Sequence, residues 1–109
     1  MAVSEADLAA ALDLFDDLGD LTTRAMMGGR LIYANGSLFA LVHSDGRVML
    51  KGTPTSIPQI EAAGGEKWVY TRSNGVSGAM PYWILPPDLL DDPARTCDLA
   101  RQSLAELEG

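Results

Sequence analysis

Residues 28–52 read GGRLIYANGSLFALVHSDGRVMLKG, and the fold of the whole chain turns on them. Three apolar-rich runs are separated by Asn35-Gly36 and Asp45-Gly46. Asn-Gly and Asp-Gly between such runs favour two-residue type I′ turns, because both central residues must take positive φ. The stretch therefore predicts a β-meander. Two-residue turns set Ile32 opposite Phe39, Leu41 opposite Leu50 and His43 opposite Val48. Side chains alternate along a strand, so Ile32, Phe39, Leu41, Val48 and Leu50 form the expected core face. Tyr33, Leu38, Ala40, Val42, Met49 and Lys51 share the other face. That face is apolar enough to ask for partial cover by a partner or a helix.

Upstream, Ser4-x-x-Asp7 resembles a capping box and opens a helix with Leu8, Leu12, Phe15 and Leu18 on one stripe. Gly19 suits its C-terminal end. Leu21 to Met27 is a short link or edge strand. Met26-Met27-Gly28-Gly29 reads as a kink or bulge, not a phosphate loop, since no Gly-Lys-Ser/Thr follows. Downstream, Lys51-Gly52-Thr53-Pro54 ends the meander, and Ser56-x-x-Gln59 with Pro58 marks a second helix start. Ile57, Ile60 and Ala63 form its stripe, and Gly64-Gly65 stops it. Residues 67–72 (KWVYTR) alternate as a strand, Asn74-Gly75 makes a hairpin turn, and Val76 to Leu85 returns. Pro81 lacks an amide hydrogen and belongs at an edge or bulge. Asp92 and Pro93 open a last helix with Cys97, Ala100, Leu104 and Leu107 on its apolar stripe.

This order, α-β(3)-α-β(2)-α without βαβ alternation, defines an α+β class. Residues 1–109 are expected to form a single domain, an antiparallel sheet of about five strands with helices on one face. Phe15, Phe39, Leu41, Leu50 and Leu104 should be among the most buried side chains.

The formal charge is −7, which argues against tight non-specific nucleic-acid binding. Residues 21–87 nonetheless carry +3, while the flanks carry −10. Arg30, Arg47, Lys51 and Arg72 are the candidate phosphate contacts. Arg47 and Lys51 point to one face and Arg30 to the other, so direct binding to nucleic acid is expected to be absent or weak. No run reaches the ~18 apolar residues of a membrane helix. The acidic N-terminal residues do not fit a signal peptide, and the single Cys97 suits a reducing compartment. Cytoplasmic residence is the expectation.

The residues able to do chemistry are few. His43 is the only histidine, and no G-x-S-x-G accompanies it. One Cys and one His do not make an ordinary zinc site. Cys97 lies on an apolar helix stripe, where a thiol is inert. Asp91 and Asp92 are explained by capping of the helix at Pro93. No catalytic group, metal or cofactor is expected. Trp and Tyr are enriched at binding hot spots, which makes Tyr33, Arg47, Met49, Lys51, Trp68 and Trp83 the candidate interaction surface. Tyr82 and Trp83 point to opposite faces, so at most one is expected in the core. The rival reading is a small-ligand or enzymatic pocket around Met27, His43 and Tyr82. The apolar second face and the open sheet edges also suggest a homodimer.

Several segments resemble a known family. They are Met26-Met27-Gly28-Gly29, Leu38-Phe39-Ala40-Leu41-Val42, Asp45-Gly46-Arg47-Val48-Met49-Leu50-Lys51, Ala62-Ala63-Gly64, Met80-Pro81-Tyr82-Trp83-Ile84-Leu85-Pro86 and Asp91-Asp92-Pro93. In this order they resemble the N-terminal domain family of TfoX, or Sxy, which usually has Met-Phe-Gly-Gly at the first. The resemblance implies an antiparallel α+β domain with no catalytic residues to map. The namesake also has a C-terminal helical domain and acts on transcription with the cyclic-AMP receptor protein. These 109 residues hold no counterpart of that domain, so the competence role is not carried over. What the resemblance implies is a regulatory or protein-interaction domain with an unidentified protein partner.

Overall fold

The computed structural model describes residues 3–26, 29–71 and 77–108. Met27 and Gly28, Arg72 and the Asn74-Gly75 turn lie outside the described residues. The meander forms: β2 (Gly29–Ala34), β3 (Ser37–Val42) and β4 (Val48–Lys51) pair antiparallel. Asn35 and Gly36 both take positive φ, 50° and 86°, as a type I′ turn requires. The second turn differs. Of its residues only Gly46 has positive φ, 93°. The His43 N–H donates to Arg47 O at 2.9 Å, and the Gly46 N–H donates to His43 O at 2.9 Å. This is a three-residue loop with glycine at the left-handed position, so His43 faces Arg47 instead of Val48.

That one extra residue moves the register by one. Leu41 pairs with Met49, Ala40 with Leu50 and Val42 with Val48. On the other side β2 and β3 shift register at Ile32/Tyr33, so Ile32 meets Ala40 and Phe39 is left in the bulge. Leu41 therefore leaves the expected core face, and Ala40 and Val42 join it. Ile32, Phe39, Val48 and Leu50 stay where the pattern put them.

Among the described residues the sheet has six strands, in keeping with the expected antiparallel sheet of about five, in the order β1-β2-β3-β4-β6-β5. Of the two readings open for Leu21 to Met27, the edge strand holds: β1 (Leu21–Met26) lies at the edge beside β2. β5 (Glu66–Thr71) and β6 (Ser77–Ile84) form the far hairpin. Pro81 falls where the β5–β6 ladder changes register between Lys67 and Val69, a position where its missing N–H is tolerated. The helices gather on one face. They are α1 (Glu5–Leu14), α2 (Ser56–Ala62), α3 (Pro87–Leu90) and α4 (Pro93–Glu108). Ala11, Ile60, Leu89 and Leu99 from the four helices join the sheet residues in one buried cluster, where Phe15 meets Phe39 edge-on at 5.0 Å.

Local chemistry sets the helix ends. Ser4 Oγ accepts from the Asp7 N–H at 3.1 Å and caps α1. The box before α2 lies three residues earlier than the sequence pattern indicates. Ser56 Oγ accepts from the Thr53 N–H at 3.0 Å, and Thr53 Oγ1 accepts from the Ser56 N–H at 3.3 Å. Thr53 and Ser56 thus satisfy each other reciprocally, with Pro54 in the first turn. Gln59 reaches instead to Thr55 O and to Gln102. Gly64 (φ 105°) and Gly65 close α2 as a Schellman motif, donating to Glu61 O and Ile60 O. Asp92 Oδ1 caps α4 through the Arg95 N–H at 3.2 Å. Along α4 the buried residues are Thr96, Cys97, Leu99, Ala100 and Ser103. Leu104 is only half-buried against the core and Leu107 is exposed, and in the same last turns Glu106 Oε1 accepts from the Thr55 N–H at 3.0 Å.

Candidate interaction face

The sheet surface away from the helices is built by alternation. Leu31, Leu41, Met49, Tyr82, Ile84 and Trp68 pack together there, and no helix residue belongs to their cluster. Even so Met49 is 0% exposed, Leu41 1% and Tyr82 3%. Curvature accounts for part of this. His43, at the end of β3, meets Trp68 of β5 edge-on with ring centroids 5.4 Å apart. Their strands stand three places apart, roughly 14 Å in a flat sheet. The twist and coil of the sheet bring such side chains together over its middle. Burial pushes the Tyr82 phenol above its ordinary pKa, and the nearby Tyr33 adds to the effect.

One end of this face carries the β3–β4 turn. Asp45 accepts from the Arg47 N–H at 3.0 Å and from Arg47 Nε at 2.7 Å. The Asp45 N–H lies 3.3 Å from His43 Nδ1, and Asp45 Oδ1 lies 3.2 Å from the same nitrogen. Burial raises the Asp45 carboxyl, but these Arg47 bonds and the neighbouring charges outweigh it and hold the group below its usual range. Arg47 is thus engaged in its own turn instead of being free to meet a ligand.

The candidate residues divide accordingly. Tyr33, Lys51 and Trp68 lie on the helix-free face with area still accessible, Lys51 opposite Tyr82 in the ladder. Met49 is the floor beneath them and presents no surface. Trp83 is a correction: it points to the helix side at 7% exposure. Its Nε1 donates to Glu61 at 3.1 Å, and Lys67 Nζ lies 5.4 Å from its ring centroid. Tyr82 and Trp83 are both buried, Tyr82 among the sheet side chains of the helix-free face and Trp83 in the cluster beneath the helices. Arg30 pairs with Val42 on the helix side, opposite to Lys51, so the basic side chains are split as expected. His43 and Tyr82 of the rival pocket share the helix-free side, while Met27 lies outside the described residues. Leu41 and Ile84 belong to the floor of this face and escaped the sequence reading. The signal for Leu41 was Gly46, whose turn fixes the parity of β4.

The reactive groups have structural partners. Cys97 is buried, its thiol donates to Leu14 O at 3.2 Å, and burial pushes its pKa up. Among the described residues no group of three His, Cys, Asp or Glu stands ready to hold a metal ion, and no helix is long and apolar enough to cross a membrane. No curated protein matches the chain. The family model for the TfoX N-terminal domain matches residues 13–107, a span that takes in all six strands and the meander on which the fold is built. The chain is a member of the TfoX N-terminal domain family.

Proposed function

We infer that the chain is a non-enzymatic, TfoX-like interaction domain that engages a protein partner through the helix-free face of its sheet. The observation that carries this reading is the arrangement of Tyr33, Lys51 and Trp68 around a floor of Leu41, Met49 and Tyr82 that is already dry. Half-exposed aromatics over a packed apolar base, with a cation at the rim, are the anatomy of a protein-binding hot spot. The side chains best suited to chemistry are engaged in structure, Cys97 with Leu14 and His43 with Asp45. With basic residues split between two faces, any role in transcription passes through the partner instead of direct contact with DNA.

Affinity capture from native cytoplasm, with and without nuclease, tests the reading. The wild-type domain is expected to retain a protein after nuclease treatment that Trp68→Ala and Lys51→Glu each fail to retain. Equal recovery by all three forms overturns it. So does recovery of nucleic acid alone.

A further inference from the structure

β1 ends the sheet, and its outer edge is open among the described strands. It pairs with β2 in unbroken register over six pairs, from Leu21↔Ala34 to Met26↔Gly29. Asp20 O accepts from the Asn35 N–H at 3.0 Å, which makes that pair a hydrogen-bonded one. Such pairs alternate in an antiparallel ladder. The even-numbered residues of β1 therefore turn their backbone groups toward β2, and Leu21, Thr23 and Ala25 turn theirs outward. Sheets ordinarily blunt an edge with bulges, prolines or charges. The opposite edge strand has such devices, a register break between Lys67 and Val69 and the charged pair Glu66-Lys67. β1 has neither bulge nor proline, Thr22 and Thr23 are good β-formers, and the one charge within the strand is Arg24 near its centre.

The charge pattern identifies what fits this edge. Asp20, Thr22 and Arg24 are exposed and stand at alternate positions, so they project to the same side of the strand. An antiparallel copy arranged about a two-fold axis through Thr22 sets Thr22 opposite Thr22. Each Asp20 then faces the other copy's Arg24. Leu21 and Thr23 become hydrogen-bonded pairs, supplying four N–H···O bonds. The Asp20/Arg24 pairs fall at non-hydrogen-bonded positions, where opposed Cα atoms come closest, ~4.5 Å. We propose that two copies of this chain associate by antiparallel pairing of their β1 edges, locked by two reciprocal Asp20–Arg24 ion pairs. The interface is isologous, so it closes at the dimer and covers both open β1 edges. It is formed by the backbone edge of β1, and its ion pairs stand on the helix-free side next to Tyr33 and Leu31, the β2 partners of Thr22 and Arg24. The charge exchange at Asp20 and Arg24 leaves Lys51 and Trp68 unchanged, so the two readings are tested separately.

Sedimentation equilibrium across a wide concentration range tests it with a charge exchange. Asp20→Arg alone and Arg24→Asp alone each place like charges opposite one another and are expected to weaken the dimer by about tenfold or more. An equimolar mixture of the two variants restores dimers, and so does the double variant Asp20→Arg/Arg24→Asp. Thr23→Pro removes an outward donor without touching the β2 ladder and is expected to give a monomer, with far-UV circular dichroism reporting that the fold is kept. If that variant does not fold, the charge exchange decides alone. A wild-type chain that stays monomeric throughout overturns the proposal. So does a dimer indifferent to both charge variants, or single variants that fail to recover on mixing.

Discussion

Leu41 and Leu50 sit on opposite sides of the sheet, yet both are almost inaccessible to solvent. Leu41→Ala is expected to cost roughly 2–5 kcal/mol, as for a leucine in a closed core, read as a lower urea midpoint. A loss below about 1 kcal/mol would mean that its face is loosely packed. Trp83→Phe keeps most of the apolar volume but leaves Glu61 without the indole donor. About 1 kcal/mol of stability should go with it, measured in the same unfolding experiment. The sequence made Ile32, Phe39 and Leu50 legible because their apolar alternation does not depend on the second turn. Leu41, Ala40, Val42 and Met49 were not legible in the same way. Asp-Gly fits a two-residue type I′ turn and equally a three-residue loop with Gly46 at the left-handed position, and the choice flips every side chain that depends on it. Trp83 was misplaced for another reason. A surface tryptophan and a buried one whose N–H reaches out to an exposed carboxylate look alike until Glu61 is known to lie beside it.

At the scale of elements, the α2–α4 junction is held by polar contacts. Hydrogen bonding with the Thr53 side chain, and then with the Thr55 N–H, holds the Glu106 carboxyl below its ordinary value of 4.5 despite some desolvation. A carboxyl whose pKa is lower folded than unfolded stabilises the fold above its unfolded value, and that contribution disappears as pH falls through the folded one. Stability should therefore fall on acidification below about pH 4.5. The fall should be shallower in Glu106→Gln, as urea titrations at a series of pH values will report. Gly64 closes α2 at φ 105°, a conformation that costs an L-residue about 1–2 kcal/mol. Gly64→Ala is expected to lose about that much in thermal unfolding. The stop at Gly64-Gly65 and the cap at Asp92 were plain in the sequence because glycine and Asp-Pro act locally. The Thr53/Ser56 box was missed because Ser56-x-x-Gln59 satisfies the same spacing rule, and only tertiary contact with Gln102 and Glu106 draws Gln59 and the Thr55 N–H away.

For the whole molecule, the α+β class and the single helix layer followed from the order of elements. The strand order did not, because β6 lies between β4 and β5 and no local signal distinguishes that from a simple meander. The Cα radius of gyration is 13.2 Å, close to the ~13 Å of a 100-residue globule. Solution scattering from Arg24→Asp should return a value near that of the single chain, while the wild type should grow larger as concentration rises. One further consequence comes from the contacts that join α4 to the opposite end of the chain. The Cys97 thiol bonds Leu14 O across 83 residues, and Arg101 reaches Asp17 O across 84. On a ribosome adding about 5–20 residues per second, α1 emerges roughly 4–17 s before the helix it packs against. Each nascent chain therefore carries Leu14 and Phe15 uncovered by α4 for that interval, an apolar surface open to a holdase chaperone.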